Sequence, residues 1–184
     1  MTDKECKSMS SQLAYCTNAN KQQEQPMNLI FTGLGPKIVD QLEKSNYQNW
    51  QIQSFKEEGE KKNNYLDIFD NCLPEGLKKE QLVYLTADSP NEISQLDKNA
   101  CYIIGGIVDR NRHTGITFKK AQAQGIGHAK LPIGEHLALQ SSCVLTVNHV
   151  FDIMATQFNK DDWKETLNKV IPVRKHVGYV KGAV

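Results

Sequence analysis

The chain has 184 residues, 39% hydrophobic and 23% charged, with a net charge of +1. These are values of a soluble globular protein able to bury about 70% of its unfolded surface in one domain. The balanced total charge argues neither for nor against nucleic acid, and five scattered cysteines without C-x-x-C or Cys/His spacing argue against zinc and against a disulfide framework. They read instead as small buried hydrophobes.

The predicted elements run as follows. "TDKE" (2–5) is a capping box, and Cys6, Met9 and Leu13 then share one face, which predicts a helix over about 3–18. "MNLIFT" reads as a strand, broken by "GLGP". Pro36 then suits the first turn of a helix that turns Ile38, Val39 and Leu42 inward. "WQIQSF" is a candidate short strand and "KEEGEKKNN" a solvated surface loop. "LVYLT" (82–86) is a buried strand. "SPNE" (89–92) reads as a second capping box with a short helix after it. "CYIIGGIV" is the next strand, followed by a helix near 117–124 closed by Gly125. "AKLPI" is a strand halted by Pro132. Val144, Val147, Phe151, Met154 and Phe158 keep helical spacing, and "KDDWKETLNKVIP" caps a last helix on Asp161 or Asp162, giving C-terminal helices over about 144–170. Strands alternating with helices predict an α/β domain, a mainly parallel sheet flanked by helices, over 1–184.

No signal-peptide pattern opens the chain, and no apolar run approaches the roughly 18 residues of a membrane span, so an intracellular protein is expected. Charge is unevenly spread. Between Ala100 and Ile133 five bases (Arg110, Arg112, Lys119, Lys120, Lys130) accompany one acid, Asp109, whereas between Glu57 and Asp97 ten acids accompany four lysines. A local basic face of that kind can attract phosphate.

"GLG" (33–35) is no dinucleotide fingerprint, because Ile38 stands where the third glycine belongs. No phosphate loop and no nucleophile elbow are present. His149 falls in an apolar helical stretch and reads as structural; His113 lies in the basic turn and is the stronger functional candidate. Asp109 stands apart. In a parallel sheet the carboxyl ends of the strands carry ligands, and Asp109 follows the two-glycine strand directly. Gly105 and Gly106 permit close backbone approach to a ligand. Leu85 with Thr86, Leu131 with Pro132, and the loop before Val144 should open on the same edge. On residue types alone, Asp109 could equally cap its own turn or pair with Arg110 or Arg112.

"LVYLTADSPN", "YIIGGIVDRNRH", "AKLPI", "VLTVNHV" and "DDW…IPVRK", in this order, resemble the catalytic domain of the tRNA (guanine(9)-N1)-methyltransferase family of the SPOUT superfamily, from about Met1 to Lys175. The resemblance implies a C-terminal trefoil knot, an exception to unknotted topology, with the knot and cofactor region at about 82–150. It implies a monomer, tRNA as partner, and S-adenosylmethionine as methyl donor, leaving S-adenosylhomocysteine, with no metal. Asp109 matches the family's proposed general base and Gln12 a glutamine near the site. Leu85, Thr86, Gly105, Gly106, Asp109, Arg110, Asn111, Arg112, His113, Thr114, Thr117, Leu131, Val144, Leu145 and Thr146 fall where the cofactor loops should be. Arg110, Arg112, His113, Lys119, Lys120 and Lys130 are the expected tRNA contacts.

There are two departures. Thr114 stands where the family often has lysine, which removes a basic contact. Family members also carry a strand and a basic extension before the helix that begins here, which leaves the tRNA affinity and the completeness of the sheet open. Two other readings stay open: methylation of adenine, or of both purines, at position 9, and a catalytically silent tRNA-binding subunit.

Overall fold

The computed structural model describes residues 1–44, 78–109, 112–138 and 144–176. The readings of "WQIQSF" and "KEEGEKKNN" lie outside these residues. Helix α1 is Asp3–Lys21, and its capping box closes both ways, with the Thr2 side chain accepting the Glu5 N–H and the Glu5 side chain accepting the Thr2 N–H. Its buried face carries Cys6, Met9, Leu13 and Cys16. The helix outruns the expected residue 18 because Cys16 and Ala19 still pack inward. Cys6 and Cys16 are buried free thiols, as expected, and burial pushes Cys16 up to about 12.

Helix α2, Pro36–Lys44, turns Ile38 and Leu42 inward beside α1. The segment before it does not form the expected strand; Phe31 alone holds a bridge. Both backbone polar groups of Met27 are taken by the Asn20 side chain at 2.8 Å. Residues 26–38 and Cys101–Ile104 line one apolar cavity of about 1030 Å³, so the segment follows a cavity and not a ladder.

Three strands form the sheet: β1 Leu82–Leu85, β2 Cys101–Ile104 and β3 Gly127–Ala129. Their order is β2-β1-β3 and both pairings are parallel. Alternation sorts β1 and β2 between two faces. Leu82, Tyr84, Cys101 and Ile103 join the cluster of Ala121 and Ile126, while Val83, Leu85, Tyr102 and Ile104 join the larger core. A parallel sheet covered on both faces is the result. Helix α3, Ile116–Gln124, covers the first face and ends at Gly125 with φ 60°, a left-handed cap that glycine takes without strain.

"SPNE" starts no helix. The Ser89 hydroxyl accepts the Asn91 N–H at 3.1 Å, and residues 91–93 exchange backbone hydrogen bonds with Lys130 instead. "AKLPI" likewise sits two residues later than the strand itself: β3 begins at Gly127, and Lys130 holds only an isolated bridge to Glu92.

The second face is covered by α4 (Ile133–His136), α5 (Val147–Lys160) and α6 (Trp163–Val170). Val144 precedes α5 and is exposed, outside the predicted helical stripe. The two aspartates divide the corner between α5 and α6. Asp161, at φ 54°, closes α5, and the Asp162 side chain accepts the Glu165 N–H at the start of α6. Trp163 donates its indole N–H to the Ser94 carbonyl at 2.8 Å and so fastens α6 to the loop after β1. Among the described residues no helix is long and apolar enough to cross a membrane.

Candidate active site

Because the three strands are parallel, their carboxyl ends meet on one edge. Thr86 follows β1 and its N–H bonds the Ala129 carbonyl at 2.9 Å. Its hydroxyl accepts from Thr117 Oγ1 at 2.9 Å, which joins the β1 end to the first turn of α3. Leu85 is buried, with Leu131 and Leu145 packed on its cluster. Loops that are distant in sequence, after β1, after β3 and before α5, thus share one apolar floor.

The β2 end is shaped by its glycines. The strand stops at Ile104, short of the expected "CYIIGGIV", because the Ile107 N–H turns back to the Gly105 carbonyl at 2.9 Å. That i to i+2 closure is a γ-turn centred on Gly106. A Cβ on Gly105 would lie 2.7 Å from Thr117 Cγ2 and 3.3 Å from Tyr84 Oη, whereas one on Gly106 would meet nothing within 4 Å. Gly105 is therefore required for packing, and Gly106 presents bare backbone to open space. Substituting Gly105→Ala should push Thr117 off Thr86. The expected result is about tenfold weaker binding of a ligand seated on these loops, with the fold retained. Titration calorimetry with S-adenosylmethionine, the donor that the family resemblance implies, measures it, and unchanged affinity would contradict the placement.

Asp109 is half-buried just beyond. Its Oδ2 accepts the His113 N–H at 2.8 Å. Its carbonyl accepts the Arg112 N–H at 3.2 Å and Arg112 Nε at 2.9 Å. The carboxylate therefore does cap its own turn, and it does so at the carboxyl end of the two-glycine strand. Arg112 Nη2 reaches Glu5 Oε1 on α1 at 2.6 Å. The Thr2 backbone N–H, with the Arg112 charge adding to it, holds the Glu5 carboxyl below the usual carboxylate range.

The other predicted residues fall into groups. Arg110 and Asn111 lie outside the described residues. Arg112, His113, Thr114, Lys119 and Lys120 are exposed on the turn and on α3. Lys130 stands 3.4 Å from Glu92, so part of its charge is answered within the chain. Thr146 turns its hydroxyl to Asn148 and to His149 Nδ1, at 2.8 and 2.9 Å. The His149 ring thus has a structural partner, in keeping with its sequence reading. Gln12 is buried in α1. Its Oε1 accepts the Val147 N–H at 2.9 Å and its Nε2 donates to Ser8 Oγ at 3.3 Å. It caps the first turn of α5 from a neighbouring helix and fixes the end of the 144–146 loop.

Sequence reading missed two residues that touch this edge. Glu5 was visible only as a capping-box residue, and Tyr84 only as a core residue of β1. Neither could be assigned to the site without knowing which distant turn it meets. The apolar cavity behind β2 is a different place: of the predicted site residues that are described, only Gly106 lines it.

Known proteins resemble the chain over most of its length. A family profile described as tRNA (guanine(9)-N(1))-methyltransferase TRM10/TRM10A matches residues 1–176. The chain is 38% identical over 177 residues to tRNA methyltransferase 10 homolog A of Xenopus tropicalis, covering 95% of this chain and 49% of the relative. It is also 38% identical over 180 residues to a tRNA (guanine(9)-N1)-methyltransferase of Schizosaccharomyces pombe, covering 96% and 56%. The chain thus spans about half the length of these curated relatives. A crystal structure of full-length spTrm10 in complex with SAH superposes with a TM-score of 0.78 at 36% identity, over 94% of this chain and 88% of that one. A dual-specific Trm10 from Thermococcus kodakaraensis, 16% identical, covers 92% of each chain with a TM-score of 0.63 and bears on the fold alone. From the capped first helix to the end of the last one, this chain belongs to the tRNA (guanine(9)-N(1))-methyltransferase TRM10/TRM10A family.

Proposed function

We propose that the protein methylates N1 of guanine at position 9 of tRNA with S-adenosylmethionine as donor, and that Asp109 is the general base. The observation that carries the reading is Asp109 directly after an open glycine turn, on the edge where the three strand ends meet. Membership of the family and likeness to an SAH-bound relative support it.

The residues present suit an adenosine sulfonium. Leu131 and Leu145, packed on the cluster of buried Leu85, suit a flat base, the Thr117 hydroxyl stands against Thr86 at the strand end, and Gly106 leaves the backbone accessible. When bound, the donor supplies a methyl already activated on its sulfur. The chain's own residues must do the remainder. Guanine N1 carries a proton at neutral pH and attacks poorly until it is removed, so Asp109 takes that proton. Such help is worth roughly 10²–10⁴-fold. Arg110, Arg112 and His113 hold the nucleotide and its phosphate, and Lys119 and Lys120 extend the basic face. A purine in a folded tRNA must first be exposed at a cost of a few kcal/mol, which phosphate contacts offset. With three such contacts, affinity should fall about twenty- to fortyfold between about 50 and 200 mM salt. A flat salt dependence in filter binding would remove these residues from the interface.

We infer further that residues 82–150 hold a trefoil knot and that the protein acts as a monomer; a dimer in sedimentation equilibrium would contradict the latter. The test of the function is transfer of labelled methyl to tRNA transcripts with G, A or C at position 9, followed by nucleoside analysis. The expected product is 1-methylguanosine from the G transcript alone. Methylation of the A transcript would widen the specificity to both purines, and no transfer to any transcript would overturn the activity.

A further inference from the structure

We infer that Glu5 is a positioning residue for methyl transfer, acting on Asp109 through Arg112; the inference rests on the reading of Asp109 as the base. Glu5 lies in the first turn of α1, 107 positions from Arg112 in sequence. Its two carboxylate oxygens have separate tasks. Oε2 accepts the Thr2 N–H at 2.7 Å and completes the capping box. Oε1 accepts Arg112 Nη2 at 2.6 Å. The same guanidinium donates Nε to the Asp109 carbonyl at 2.9 Å, and Asp109 Oδ2 receives the His113 N–H at 2.8 Å. An unbroken path therefore runs from α1 to the peptide that carries the acid.

The two ends of this path differ in how they are held. α1 is held by Cys6, Met9 and Leu13 packed with Ile38 and Leu42, and by the Gln12 bond to the start of α5. On the other side Arg112 and His113 are exposed, and Asp109 is half-buried. Its neighbour Val108 also leans on the start of α1, donating its N–H to Met1 Sδ at 3.4 Å. Glu5 is thus the anchored end of the path, and it acts on Arg112 and Asp109.

The Arg112 side chain is 54% exposed, and ion pairs that open to water add little to stability. Placement is where the pair can matter. A base must come within hydrogen-bond reach of its proton, and a displacement of about 1 Å can cost as much as 10²-fold in rate. Arg112 therefore has a second duty beside any phosphate contact, and Glu5 sets its direction.

Glu5→Gln is the informative variant. Glutamine serves the capping box as well as glutamate does, so the helix start survives while the charge that orients Arg112 is lost. The expected result is a single-turnover methyl-transfer rate about tenfold lower at saturating tRNA and donor. The donor dissociation constant should stay within about twofold and the thermal midpoint within about 2 °C. The Arg112 Nε–H resonance should shift and exchange faster with solvent. Because the two residues act along one path, Glu5→Gln combined with Arg112→Ala should be no slower than Arg112→Ala alone. A wild-type rate in Glu5→Gln would overturn the inference. So would a loss that tracks a falling thermal midpoint, or effects that multiply in the double variant. If the wild-type protein transferred no methyl to tRNA, the reading of the site would fall, and the Nε resonance would judge the coupling by itself: unchanged in Glu5→Gln, it rules the coupling out.

Discussion

Asp109→Asn is expected to slow single-turnover methyl transfer about 100-fold while the affinity for S-adenosylmethionine stays within about twofold. The substitution is nearly isosteric. Asparagine Oδ1 can still accept the His113 N–H that Asp109 Oδ2 accepts at 2.8 Å, so the turn keeps its cap. What disappears is a group able to take the guanine N1 proton. The variant's rate should then climb with pH, since solvent must do the work of the carboxylate. Asp109→Ala is the contrasting case. It removes the cap as well, and should lower both the rate and the binding of nucleotide. If Asp109→Asn matched wild type in single turnover, alignment of the two substrates would account for the catalysis and the base role would be wrong.

Leu167→Ala is expected to cost about 3 kcal/mol of folding stability, within the roughly 2–5 kcal/mol of a buried leucine truncation. Leu167 is fully buried in α6, in one cluster with Leu85, Ala129, Ile133, Ile153, Met154, Trp163 and Ile171. Against a total of about 5–15 kcal/mol for a domain, that loss is large. The site should feel it too, because Leu131 and Leu145 rest on the same cluster. Denaturant unfolding gives the number, with exposed Lys164→Ala as a control expected within about 0.5 kcal/mol. A loss below about 1 kcal/mol for Leu167→Ala would mean that α6 contributes little to the core that supports the cleft.

What could be read from the sequence was what local chemistry decides. The capping box at Thr2, the glycine stop at Gly125 and the aspartate corner at 161–162 depend on residues within four positions of one another, and each stands as expected. The apolar runs "LVYLT" and "CYIIGGIV" gave β1 and β2 for the same reason, whereas β3 lies ahead of "AKLPI", at Gly127–Ala129. The failures share the opposite cause. Ser89 has every local mark of a helix cap, yet its hydroxyl lies 2.9 Å from His128 Nδ1, and the residues after it pair with Lys130. "MNLIFT" has strand composition, but a strand needs an adjacent edge, and there it meets a cavity and the Asn20 side chain.

The site divides in the same way. Residue types and the glycine pair pointed to Asp109, and the family resemblance named the chemistry. The tie from Glu5 to Arg112 was invisible, because nothing local marks a pair 107 positions apart. The match of Lys130 with Glu92 was equally hidden, since it follows from a parallel bridge between two loops.

The most direct measurement is a crystal structure of the protein with S-adenosylhomocysteine. The account predicts the ligand on the strand-end edge, between the loops that carry Leu85, Leu131 and Leu145, with its sulfur facing the Asp109 carboxylate. Ligand density in the apolar cavity behind β2, or an Asp109 side chain turned away from the bound sulfur, would contradict it.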